Sequence, residues 1–143
     1  MPILDVGSGA NPHGDVNLDI YTGYSPHAEM NIKKPTIRAD AHYLPFQNEM
    51  FDGVYCSHAL EHLTNPEVAL CEMLRVLQKY GRATFEVPDS NNKPPSTQLK
   101  YHIHFWTMDT FTRLIGDAGF KIDLAEHTGE NNLQIKTRKP KVL

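Results

Sequence analysis

Two short apolar runs, Ile3-Leu4-Asp5-Val6 and Val16-Asn17-Leu18-Asp19, are joined by a link that spans only Gly7 to Asp15 and opens Gly7-Ser8-Gly9. A parallel crossover that carries a helix takes about 10 to 12 residues or more, so at most one helical turn fits here. The runs therefore read as adjacent strands tied by a tight glycine turn. Glycine accepts positive φ and has no side chain in the way, so such a turn brings bare backbone against a ligand. An acid ending the neighbouring strand suits the two hydroxyls of a ribose. Together they describe half of a site for an adenosine-containing cofactor.

Further along, Thr36-Ile37-Arg38-Ala39-Asp40-Ala41 is a third short run ending in an acid, followed by Leu44-Pro45-Phe46. Phe51-Asp52-Gly53-Val54-Tyr55-Cys56-Ser57 reads as a fourth strand leading into His58-Ala59-Leu60-Glu61-His62-Leu63. A helix is expected from Pro66 to about Tyr80: Asn65 caps it, Pro66 takes its first position, Glu67 complements the dipole and Gly81 ends it. Its inward stripe is Leu70, Met73, Leu74 and Leu77. Arg82 to Val87 reads as the fifth strand. A second helix starts at Thr107 and stops at Gly119, with Phe111, Leu114, Ile115 and Ala118 as its apolar face. Lys121 to Glu126 and Leu133 to Thr137 alternate like paired strands across a turn at Gly129-Glu130-Asn131-Asn132.

A dinucleotide site would want G-x-G-x-x-G and a ribose acid about 20 residues on. Here the third glycine position is not glycine, and Asp19 comes too soon. The four ordered blocks instead resemble the class I S-adenosylmethionine-dependent methyltransferases over nearly the whole chain. The likeness is to small bacterial and archaeal members reading D-V-G-S-G, A-D-A-x-x-L-P-F and F-D-x-V-x-x-S-H-x-L-E-H-L. This resemblance implies a three-layer α/β Rossmann-like fold, residues 1–143 forming one domain, with a mostly parallel sheet and an antiparallel last strand. It implies S-adenosylmethionine as cofactor. The backbone of Gly7, Ser8 and Gly9 would lie under its methionine part, with Asp5 ordering the turn and the amino group. Asp19 would take the ribose hydroxyls, and Asp40 and Ala41 the adenine edge. Leu44 or Phe46 would cover the ring, unless they serve packing alone. Ser57 and His58 would leave the fourth strand beside the sulfonium. Asn11 departs from the family pattern, which has glycine there in many members.

The early helices are shortened or missing. The link Tyr21 to Pro35 has little apolar periodicity, and Pro26 and Pro35 interrupt it. A sheet of this kind normally needs helices on both faces. One face is therefore expected to be thinly covered and buried against a second copy, as in a homodimer, or against another protein.

At 143 residues and a formal charge of −3, the chain has the size of one domain and shows no long basic run, so nothing indicates nucleic acid or a membrane. Lys136, Arg138, Lys139 and Lys141 read as a solvated tail. Cys56 and Cys71 read as small core residues in a reducing cytoplasm. The first strand begins too early to leave room for a signal peptide, so the expectation is a cytoplasmic protein. Pro88 to Ser96 reads as a mobile loop.

Two histidine groups carry further possibilities. His58-Ala59-Leu60-Glu61-His62 matches H-x-x-E-H, a zinc-hydrolase motif in which both histidines bind the metal and the glutamate is the base. That motif wants a long helix, whereas Asn65-Pro66 interrupts after one turn, and no metal is expected. In Tyr101-His102-Ile103-His104-Phe105-Trp106, His102 and His104 share one side of an extended stretch. Either one deprotonates an acceptor, or the pair bonds loop backbone and holds the segment on the second helix. The expected activity is methyl transfer to an unidentified acceptor. The alternative is a module that keeps the nucleotide pocket without catalysis.

Overall fold

The computed structural model describes residues 2–8, 12–19, 36–90, 103–129 and 131–141. They form strands β1 (Ile3–Val6), β2 (Val16–Asp19), β3 (Ile37–Arg38) and β4 (Phe51–Ser57), then a 3₁₀ turn (Leu60–His62) and helix α1 (Pro66–Val76). Strand β5 (Leu77–Pro88), helix α2 (Met108–Asp117), β6 (Lys121–Thr128) and β7 (Asn132–Arg138) follow. The strands make one sheet in the order β3-β2-β1-β4-β5-β7-β6. All pairings among β1 to β5 are parallel, and β7 lies antiparallel between β5 and β6. This is the expected mostly parallel sheet.

The short link from β1 to β2 closes through polar groups. Asn17, buried on β2, accepts from the Gly14 N–H at 2.8 Å and donates to its carbonyl at 3.1 Å. Asp15 N–H donates to the Ile3 carbonyl, and the Asp15 carboxylate accepts from the Ile3 N–H. A Cβ on Gly14 would stand 2.8 Å from the backbone of Ile3 and Asp5, so only glycine lets the link lie this close to β1.

Strand alternation places Leu4, Val6, Leu18, Val54, Cys56, Ala83, Phe85, Leu133 and Ile135 on one face, and α1 and α2 complete the core there with Leu70, Met73, Phe111 and Ile115. The other face carries Ile3, Tyr55, Arg82, Thr84, Glu86, Gln134, Lys136 and Arg138, and both described helices belong to the first. Ile3, Arg82, Lys136 and Arg138 are exposed on this second face.

Three expectations need correction. Helix α1 ends at Val76, because Leu77 takes up extended geometry (ψ 136°) and pairs with Phe51. Gly81 therefore lies inside β5, where its missing Cβ would meet Asp52 O at 2.9 Å and Leu77 Cδ1 at 2.7 Å. Cys71 is exposed on α1, since it falls off the stripe of Ala69, Leu70, Met73 and Leu74; Cys56 is buried as expected. The basic C-terminal residues are no free tail: Lys136 and Arg138 belong to β7, and Lys139 is buried with Nζ donating to the Leu77 carbonyl at 2.8 Å. Burial pushes the Lys139 ammonium below its ordinary value.

Both helix starts follow the sequence. Asn65 Oδ1 accepts from the Val68 N–H with Pro66 in the first position, and Thr107 with Thr110 forms a reciprocal capping box. The link 20–35, Asn11 and most of the loop expected at Pro88 to Ser96 lie outside the described residues.

Candidate cofactor site at the carboxyl ends of the strands

Gly7 follows β1 with φ +72°, and its N–H and that of Ser8 both donate to the Leu18 carbonyl, at 2.8 and 3.0 Å. Those donors are consumed by the fold, so what the turn offers a ligand is close backbone approach. Ser8 is 8% exposed, and its Oγ has no hydrogen-bond partner among the described residues. An orphaned buried hydroxyl at this point fits a polar ligand. Gly9 lies outside the described residues.

Asp5 is buried on β1 and accepts from the His13 N–H at 2.7 Å. Burial raises its carboxyl above the usual carboxylate value, the His13 N–H opposes this, and the charge of Asp19 adds to the rise. The ends of β1 and β2 thus bring two carboxylates into one field. Burial also raises the Cys56 thiol, with Glu61 and Asp5 contributing, so the same field reaches the end of β4.

Asp40 follows β3. Its Oδ1 accepts from the His42 N–H at 2.9 Å and from His42 Nδ1 at 2.7 Å, and these bonds, the N–H first, hold its carboxyl below the usual value. His42 Nε2 in turn accepts from the Asn65 N–H at 3.1 Å, which places the ring proton on Nδ1 and ties this turn to the start of α1. Ala41 and Leu44 are buried in the core, and Phe46 packs edge-on against Phe51 at 5.0 Å. The Glu72–Arg75 pair clamps this stretch: Arg75 donates to the carbonyls of Leu44 and Phe46 and to Glu72 at 2.6 Å, and the Leu44 N–H donates to Glu72.

Ser57 and His58 stand at the end of β4 beside Glu86 of β5. The H-x-x-E-H stretch forms one 3₁₀ turn, so the helix on which a zinc motif would stack His58 and His62 is not formed. His102 lies outside the described residues. His104 stacks on Trp106 at 5.6 Å, and the N–H groups of Ile103 and His104 both donate to the Glu61 carbonyl. Ile103 and Phe105 are exposed.

Sequence reasoning missed two participants, His42 and Glu86. Asp89 is buried just past β5, with Oδ2 3.3 Å from His127 Nε2. For Glu86 a signal existed, a carboxylate inside the apolar run Ala83 to Val87. An open hollow lined by Ile3, Asp52, Gly53 and Tyr80 lies at the opposite ends of the strands, away from this site.

The family profile described as a methyltransferase domain matches residues 4–85, more than half of the chain and the carboxyl ends of β1 to β4. The chain belongs to the class I S-adenosylmethionine-dependent methyltransferase family. Among its relatives, a demethylmenaquinone methyltransferase of Renibacterium salmoninarum is 32% identical over 90 residues, which is 56% of this chain and 38% of that protein. A ubiquinone/menaquinone biosynthesis C-methyltransferase UbiE of Xylella fastidiosa is 45% identical over 47 residues, 33% of this chain and 19% of that protein. The chain thus spans well under half the length of these relatives. The fold is shared with the Haloferax volcanii protein solved in complex with the Trm112 methyltransferase activator (TM-score 0.77, 17% identity, 96% of this chain and 82% of that one). It is also shared with the [4+2]-cyclase SpnF (TM-score 0.76, 14% identity, 96% and 74%).

Proposed function

We propose that this domain binds S-adenosylmethionine at the carboxyl ends of β1 to β4 and transfers its methyl group to an acceptor. The observation that carries this reading is the buried Ser8 hydroxyl, without a partner among the described residues, beside the Gly7 turn and the Asp5–Asp19 field. In this proposal the backbone at Gly7, Ser8 and Gly9 lies under the methionine part, and Asp5 orders the turn through His13. Asp19 takes the ribose hydroxyls. Asp40 meets the adenine edge with the oxygen not given to His42, beside Ala41, while Leu44 serves mainly packing. Ser57 and His58 border the sulfonium.

When bound, the cofactor supplies a methyl carbon already activated by the sulfonium, so its leaving group departs neutral. What remains for the chain is to align the acceptor, exclude water and receive a proton where the acceptor carries one. The stacking of His104 on Trp106 and the backbone bonds to Glu61 support a holding role for that segment rather than proton transfer. Alanine at His102 or His104 separates the two: loss of both transfer and cofactor binding indicates structure, and loss of transfer alone indicates chemistry.

Calorimetric titration with S-adenosylmethionine and with NAD tests the main reading, and no heat with either removes it. A second reading, a cofactor-binding module without methyl transfer, draws on the shared fold of a protein described as a cyclase. Binding with no transfer to any acceptor would favour it.

The exposed sheet face, with Ile3, Arg82, Lys136 and Arg138, is proposed as the surface covered by a second copy or by another protein, as one structural neighbour is complexed with an activator. Light scattering that shows a stable monomer at micromolar concentration would count against a homodimer. Among the described residues no helix is long and apolar enough to cross a membrane, and a cytoplasmic location is proposed.

A further inference from the structure

At the end of β4 the chain turns through His58 with φ +54°, a left-handed conformation uncommon for residues other than glycine. Glu86 holds both parts of this residue. The His58 N–H donates to the Glu86 carbonyl at 2.8 Å, and the ring Nε2 stands 3.2 Å from Glu86 Oε1. The Glu86 carboxylate is filled: Ser57 Oγ donates to Oε1 at 3.2 Å, and Thr128 Oγ1 and Gln134 Nε2 donate to Oε2 at 2.7 and 3.2 Å. Donors from β4, β6 and β7 thus fix one carboxylate, leaving it little capacity to grip a ligand. What it does is orient an imidazole.

The other ring nitrogen, Nδ1, is 3.8 Å from Glu61 Oε2, too far for a hydrogen bond, and the side chain is 42% exposed. A ring whose Nε2 lies in charge contact with a fixed carboxylate favours the tautomer with its proton on Nε2 and keeps the Nδ1 lone pair for a proton from outside. Among the described residues the charged groups facing the ring are Glu86 on β5 and Glu61 on the 3₁₀ turn.

We propose that His58, oriented by Glu86, accepts the proton of a hydroxyl-bearing methyl acceptor lying at the carboxyl ends of β4 and β5. The inference rests on the methyl-transfer reading and deepens it by naming the base and the acceptor class. The acceptor O–H bond breaks with its electron pair kept on oxygen, and the proton passes to Nδ1 and then to water. The acceptor loses one proton and gains one methyl, and charge balances because the methyl donor is cationic and its product neutral. A carboxylate already occupied by three hydrogen-bond donors and the His58 ring offers no ion pair to an ammonium, which favours oxygen acceptors over amines. His58 is the catalytic residue of this proposal and Glu86 its positioning residue.

The test uses ¹⁵N NMR of the histidine rings in the ligand-free protein, the His58 signals being assigned with H58N, since asparagine tolerates the positive φ. At pH 8 the expected wild-type ring is protonated on Nε2 and bare on Nδ1. E86L, which leaves no acceptor at this position, is expected to lose that preference and show mixed tautomers, while its affinity for S-adenosylhomocysteine stays within about threefold of wild type. A ring protonated on both nitrogens at pH 8, a proton on Nδ1 alone, or an unaltered tautomer in E86L would overturn the proposal. If wild type binds neither S-adenosylmethionine nor S-adenosylhomocysteine, the parent reading falls with it, whatever the tautomer.

Discussion

The Cβ that Gly7 lacks would stand 2.5 Å from the Cβ of Ala59, so the turn after β1 and the turn after β4 meet where no further atom fits. Each turn therefore shapes the other, and the proposed cofactor floor and His58 are set by one contact.

Gly7→Ala breaks that contact and forces an L-residue to φ +72°. Overpacking costs about 1–3 kcal/mol and left-handed backbone about 1–2, so a loss of about 2–5 kcal/mol is expected in urea denaturation. Calorimetry should show S-adenosylhomocysteine binding weakened more than about tenfold, as the turns separate. Wild-type stability in this variant would show that the turn relaxes freely.

Asp5 tests whether a site residue is held at a cost. Burial raises its carboxyl above the ordinary 3.8, so its contribution to stability is present below that value and is lost as pH rises through the folded-state value. Asp5→Asn can still accept from the His13 N–H but carries no charge. At pH 7 this variant should be at least as stable as wild type, with the difference closing near about pH 3, and cofactor affinity should fall. Urea midpoints at the two pH values decide it; a variant clearly less stable at pH 7 would contradict the sign.

Arg75 carries the clamp on Leu44-Pro45-Phe46. Its pairing holds the Glu72 carboxyl below its ordinary 4.5, and the Arg75 guanidinium is raised in return. Arg75→Ala leaves the carbonyls of Leu44 and Phe46 and the Glu72 carboxylate without that donor, for an expected loss of about 2–3 kcal/mol at pH 7. A lowered carboxyl contributes stability above its unfolded value and loses it as pH falls through the folded one. The gap between wild type and variant should therefore narrow below about pH 4.5.

His42→Ala removes the bridge between Asp40 and the Asn65 N–H. About 1 kcal/mol of stability should be lost, and amide exchange at Asn65 should quicken relative to the centre of α1. Unchanged exchange at Asn65 would show that the bridge does not hold the helix start.

Local sequence made much of this legible, because strand ends, helix caps and the glycine turn depend on residues near one another in the chain. Asn65-Pro66 and Thr107 mark helix starts, since a cap needs only its own first turn. The α1 boundary was misread because Leu77 is taken by Phe51, a partner 26 positions earlier, and Gly81 serves a close approach inside a strand rather than a helix end. Lys139 looked like surface for the same reason: its acceptor, the Leu77 carbonyl, is 62 residues away.

From residue order alone came the strand succession, the acids at strand ends and the short β1–β2 link, all set by alternation, turn chemistry and spacing. Tertiary structure alone decided that Ser57, His58, Thr128 and Gln134 gather on Glu86, that Ser8 buries its hydroxyl and that His42 takes one oxygen of Asp40. Such meetings depend on register between strands far apart in sequence, and a hydrogen bond has no signature in either partner until the sheet has brought them within reach.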